Sequence, residues 1–89
     1  MSKERLHIQT FALIQGCALN YRTGLVTRQG SPFTMLAKLH PELELKTDSR
    51  GTVRDRRKAI LQIHEMLHQN YELPGTFLTL IEELQGAKA

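Results

Sequence analysis

The sequence predicts a mainly α fold, a small three- to four-helix domain with room for a short two-stranded β-ribbon. Three observations carry that expectation. Apolar side chains recur at helical spacing over residues 52–71 and again over 76–84. Ser31-Pro32 is a strong helix start, because Ser caps free amides and Pro tolerates the first helical position. The connectors between these stretches are short and rich in Gly, Pro, Ser, Thr and Asp. With 89 residues the chain is expected to form one domain, 1–89. A domain of this size buries only about 60–65% of its unfolded surface, so its stability margin is thin.

Taken in order, residues 5–22 place Leu6, Thr10, Leu13, Ile14, Cys17 and Tyr21 at helical spacing, with Gly24 where a C-terminal cap belongs. Gly16 is a poor interior helix residue, and Leu6-His7-Ile8-Gln9 alternates like a strand. Helix is the expectation for 5–22, with strand as its competitor. The second helix runs from Pro32 and groups Phe33, Leu36, Ala37 and His40; Pro41 ends it, since the residue before a proline avoids helical geometry. Leu43 to Thr47 alternates with period two and finds its obvious strand partner in Leu25-Val26-Thr27.

The third helix is expected from Thr52, with Asp55 completing a capping box, to about residue 70. Val53, Ile60, Ile63, Leu67 and Tyr71 form its buried stripe, and the other helices should pack around it. Pro74-Gly75 reads as a turn. The last helix, from Thr76 to Gly86, uses Phe77, Leu80, Ile81 and Leu84, and its short connector predicts antiparallel packing on the third.

Composition narrows the function classes. The five aromatics, Phe11, Phe33, Phe77, Tyr21 and Tyr71, are scattered, so each anchors local packing rather than joining a base-stacking platform. Cys17 stands alone and cannot form an internal disulfide, which points to a reducing, cytoplasmic setting and a core role for the thiol. No apolar run is long enough to cross a bilayer, so no membrane partner is expected. A deep cleft is hard to wall with so few residues, which counts against an enzyme. No Gly-rich phosphate loop and no other cofactor motif is present, so no cofactor is expected. The spacing of the second and third helices does not match a helix-turn-helix.

Charge is distributed unevenly. Residues 1–58 hold eleven Lys and Arg against five Asp and Glu, and residues 59–89 hold one Lys against four Glu. The densest cluster is Arg50, Arg54, Arg56, Arg57 and Lys58, relieved by Asp55. Cations in the first turns of a helix oppose its dipole, so their concentration there marks a candidate binding site. On the expected helix, Arg54 and Arg57 continue through Leu61, His64 and His68 as one ridge, while Arg56 falls nearer the buried stripe. Such a ridge suits phosphates or an acidic protein surface. The competing expectation is a solvated face, or a pairing with Glu82 and Glu83 inside the fold.

His64-Glu65-Met66-Leu67-His68 fits the spacing H-E-x-x-H on a helix. It resembles the zinc-metallopeptidase signature over those five residues. The resemblance implies His64 and His68 as zinc ligands and Glu65 as general base on a bound water. A third ligand would have to come from Glu72, Glu82, Glu83, His40 or His7, because no further His follows at the spacing of the longer signature. His7 and His40 otherwise stand isolated.

The sequence therefore ranks a non-enzymatic regulatory or inhibitory binding module first. It would engage nucleic acid or an acidic protein surface through Arg50, Arg54, Arg56, Arg57, Lys58, Leu61, His64 and His68. A zinc-dependent hydrolase on His64, Glu65 and His68 is the alternative, and an oligomerising structural subunit the third reading. The thin stability margin makes a homodimer a natural state to test.

Overall fold

A computed structural model of the protein describes residues 3–26 and 30–86. Its elements are β1 (Glu4–Arg5), α1 (Ile8–Thr23), α2 (Pro32–Leu39), a 3₁₀ turn (Pro41–Leu43), α3 (Arg56–Leu67), β2 (Tyr71–Glu72) and α4 (Gly75–Gly86). The fold is mainly α, with four helices among the described residues and a short two-stranded sheet.

The N-terminal ambiguity resolves into both competing forms. Residues 8–23 are helical, while Glu4 and Arg5 pair in parallel with Tyr71 and Glu72. His7 separates the two. It is the N-cap, with extended backbone, and its Nδ1 accepts a hydrogen bond from the Gln9 amide at 3.2 Å. At the other end Gly24 adopts φ 72°, which L-residues avoid, and its amide closes on the Asn20 carbonyl at 2.7 Å. Gly16 also has a reason to be glycine. A Cβ there would meet the Pro32 ring at 3.2 and 3.3 Å, so its absence lets α2 seat closely on α1.

The expected ribbon between residues 25–27 and 43–47 does not form over the described residues. Leu25 and Val26 are exposed and outside any strand, and Thr27 lies outside the described residues. Leu43 closes the 3₁₀ turn, and Glu44 takes a left-handed φ of 52°. The physical reason lies in α3. The Gln62 side-chain amide donates to the carbonyls of Leu43 and Glu44, supplying from a helix what a paired strand would have supplied. The sheet that does exist is β1–β2, and only Thr47 of the expected strand makes a bridge, to Val53.

That bridge also shifts the start of the third helix. Val53 is held extended by Thr47, and its amide donates to the Thr34 hydroxyl at 3.4 Å, so residues 52–54 stay outside the helix. Asp55, not Thr52, is the N-cap, and its carboxylate accepts from the Lys58 amide at 3.0 Å. At its C-terminus α3 stops at Leu67 instead of reaching residue 70, because Tyr71 is drawn into β2. Pro74-Gly75 is not a free turn either. Pro74 is buried, its carbonyl accepts from the Leu78 amide, and α4 starts at Gly75.

Among the described residues, sixteen buried apolar side chains form one core cluster, drawn from all four helices and from Leu43, Leu45, Val53 and Leu73 between them. Val53, Ile60 and Ile63 of the expected stripe are buried, whereas Leu67 and Tyr71 are half-covered. The organising helix is α1 rather than α3: α2, α3 and α4 all pack on α1, and α3 and α4 touch each other less. Its buried side carries Thr10, Ile14, Cys17 and Ala18. Burial pushes the Cys17 thiol up to about 12, so the sulfur is an inert packing atom at neutral pH.

Candidate anion-binding surface

The basic cluster sits on two consecutive pieces of structure. Residues 47–53 form a small hairpin organised by one carboxylate. Asp48 Oδ1 accepts from the amides of Arg50 and Thr52, each at 2.9 Å, and Oδ2 accepts from Arg54 Nε at 2.9 Å. These hydrogen bonds, first that of the Thr52 amide and then that of the Arg54 guanidinium, hold the Asp48 carboxyl below the usual carboxylate range. The hairpin leads directly into the first turn of α3, where Arg56, Arg57 and Lys58 follow the Asp55 cap.

Within this arrangement the five cations have different surroundings. Arg56 is half-buried, with its guanidinium carbon 5.9 Å from the centroid of the Phe33 ring. It caps the end of the core by a cation–π contact. Arg54 is exposed but tethered by Asp48. Arg50, Arg57 and Lys58 are exposed, and their side chains make no ion pair among the described residues. The competing expectation of internal neutralisation is not met: Glu83 is 3.0 Å from Arg22, and Glu82 is exposed without an ion pair among the described residues.

Because α3 starts at Arg56, Arg54 is not on the helical ridge, which comprises Arg57, Leu61, His64 and His68. Leu61 is half-buried and packs on the core. His64 and His68 stack, with centroids 4.4 Å apart and planes 19° from parallel. Burial, then the proximity of His68 and of Lys3, lowers the pKa of His64 below the usual imidazole value. His64 is therefore neutral at pH 7, and the positive charge of this face is concentrated on the hairpin and the first turn of α3.

The same stacking bears on the H-E-x-x-H spacing. Imidazole lone pairs lie in the ring plane, so two near-parallel stacked rings direct them side by side rather than toward one point. His68 Nδ1 is also engaged with the His64 carbonyl, and Glu65 is exposed. Among the described residues no third His, Cys, Asp or Glu joins the pair. Glu72 lies 3.8 Å from Arg5, and Glu83 and His40 are paired elsewhere.

Sequence spacing leaves His40 isolated, but the fold does not. Its Nδ1 lies 2.8 Å from Glu42 Oε1, and its Nε2 lies 2.5 Å from the hydroxyl of Thr10, thirty residues away on α1. The hydrogen bond from His40 holds the Glu42 carboxyl below the usual range, so it is an ionised acceptor at neutral pH. Nδ1 therefore carries the proton it donates to Glu42, and in the neutral imidazole this leaves Nε2 as the acceptor for the Thr10 hydroxyl. The only local hint was the two-residue spacing of His40 and Glu42.

No protein-family model, no curated protein and no solved structure matches the chain. Among the described residues, no helix is long and apolar enough to cross a membrane.

Proposed function

We propose that the protein is a small binding module that engages an anionic macromolecule, a nucleic-acid backbone or an acidic protein surface, through its 50–58 segment. Arg50, Arg57 and Lys58 offer free charge, Arg54 offers a guanidinium oriented by Asp48, and Arg56 anchors the surface to Phe33. Leu61 and the stacked His64–His68 pair extend the contact face along α3. The observation that carries this reading is the pairing of Glu83 with Arg22, which leaves the cations of α3 without an internal counter-charge from α4. Fixed cations of this kind attract phosphates or carboxylates and release counterions on contact. A single thiol, buried and unreactive, suits a cytoplasmic setting.

The test compares the parent with an Arg54→Gln, Arg57→Gln, Lys58→Gln triple variant. Binding to a labelled mixed-sequence DNA duplex, a single-stranded RNA and polyglutamate is measured over a series of salt concentrations. The variant should melt close to the parent: losing Arg57 and Lys58 relieves unfavourable dipole interactions in the first turn of α3, while losing the exposed Arg54 guanidinium from Asp48 lowers the melting temperature only slightly. For every cation that no longer meets a phosphate, the log–log salt dependence flattens by about one unit. Loss confined to polyglutamate identifies an acidic protein partner. Undiminished binding to all three probes would remove the segment from the functional site.

A further inference from the structure

We propose that Thr10, His40 and Glu42 form an acyl-transfer relay that hydrolyses small acyl esters, with Thr10 as nucleophile. The three groups stand in the order that such chemistry requires: a hydroxyl on an imidazole nitrogen at 2.5 Å, and the opposite nitrogen on a carboxylate at 2.8 Å. They come from α1, the residue that caps α2, and the 3₁₀ turn, so three separately held elements converge on one line of hydrogen bonds.

The relay faces a cavity of about 200 Å³ that Thr10, His40 and Glu42 help to line. Leu6, Leu43 and Leu67 give this cavity an apolar wall, and His7 and Tyr71 add polar groups. A volume of this order holds about six or seven waters, less than a drug-sized ligand needs. The substrate class is accordingly a short-chain acyl ester. Exposure is graded along the relay: Thr10 is 3% exposed, the His40 side chain 27% and that of Glu42 68%. The nucleophile is thus shielded from bulk water, while the carboxylate that orients the base remains solvated.

In the first step Thr10 Oγ1 bonds to the ester carbonyl carbon and its proton passes to His40 Nε2. The carbon–oxygen bond to the leaving alcohol then breaks, and His40 returns the proton to that oxygen. Water attacks the acyl-threonine with His40 as base. The acid leaves, and the Thr10 hydroxyl is restored. Glu42 holds the Nδ1 proton throughout and is a positioning residue.

The test incubates the whole protein with p-nitrophenyl acetate, follows nitrophenolate release and maps the acetylated residue by peptide mass spectrometry after an acid quench. The expected result is acetyl on Thr10. Thr10→Val and His40→Gln should each lower turnover about a hundredfold or more, the range of general acid–base contributions. Thr10→Ser keeps the hydroxyl and retains turnover, which separates chemistry from packing if Thr10→Val fails to fold. Glu42→Gln should lower kcat and leave KM in place. Acetylation confined to lysines or to the other histidines, or turnover indifferent to Thr10→Val in a folded variant, would overturn the proposal. The map of the parent protein decides the matter even without the variants.

Discussion

Asp48 shows how one residue can set the geometry of a surface made of opposite charges. Its side chain is 18% exposed, and its two oxygens tie together the Arg50 and Thr52 amides and the Arg54 guanidinium. The folded carboxyl ionises more readily than the unfolded one, so its contribution to stability is present above the ordinary carboxylate pKa. That contribution is lost as pH falls through the depressed folded value. Asp48→Ala should therefore melt below the parent at about neutral pH, and the gap should narrow as pH falls below the ordinary aspartate value of about 3.9 and close only below the depressed folded one. Thermal melts of the two proteins across that range check it, and a gap independent of pH would assign the effect to something other than ionisation. Removing Asp48 also unties Arg54, so the variant should bind anions with more charge but less order.

At the scale of elements, the packing of α1 on α2 depends on a residue that helix propensity alone disfavours. Gly16 costs α1 about 1 kcal/mol against Ala in an open helix. It is retained where the Pro32 ring would lie 3.2 Å from a Cβ. Gly16→Ala should fall within about 1 kcal/mol of the parent, since the better propensity of Ala offsets a fit slightly too tight. Gly16→Leu should cost about 1–3 kcal/mol by wedging the helices apart. Denaturant unfolding of both variants checks the pair. A neutral Gly16→Leu would mean that the helices do not meet there. The same principle governs α3, whose start is set by the Thr47–Val53 bridge rather than by Thr52, so that Arg56, Arg57 and Lys58 rather than Val53 occupy its first turn.

The whole molecule measures 39 × 33 × 21 Å and leaves one helix apolar on both sides. Residues 8–21 contain no Asp, Glu, Lys or Arg. On the outer side of α1, Ile8 is 81% exposed, Leu19 48% and Phe11 37%. The occupant expected for this face is a second copy of the chain. The Arg5–Glu72 and Arg22–Glu83 pairs flank the apolar stripe, so an antiparallel α1–α1 pairing brings together two neutral ends without net like charge. A helix of this length is about 24 Å long. Leu25 and Val26, exposed just beyond the Gly24 cap, add apolar surface to this end of the molecule, and a stable dimer would need to bury about 1,200 Å² in total. Sedimentation should show a monomer–dimer equilibrium in the micromolar range, and Ala12→Glu, at the centre of the exposed stripe, should shift it to monomer with unchanged far-UV dichroism. A parent that stays monomeric throughout that range would leave the stripe to some other occupant.

Local chemistry was enough to determine the helices, their strongest caps and most of the core. Ser31-Pro32, Gly24 and the Phe77-Leu80-Ile81-Leu84 repeat are short-range signals, and the structure places each where that chemistry expects it. The basic cluster was legible for the same reason, since its members adjoin in sequence. What depended on residues far apart in the chain was decided only in three dimensions. Gln62 satisfies the carbonyls of Leu43 and Glu44, which removes the need for the expected ribbon. Tyr71 pairs with Glu4 instead of extending α3, and α1 takes the central place expected of the 52–71 helix. Thr10 and His40 meet across thirty residues that no periodicity connects. Backbone groups and side chains accept whichever partner the packed chain brings within reach, and that choice is made by the whole fold rather than by any segment of it.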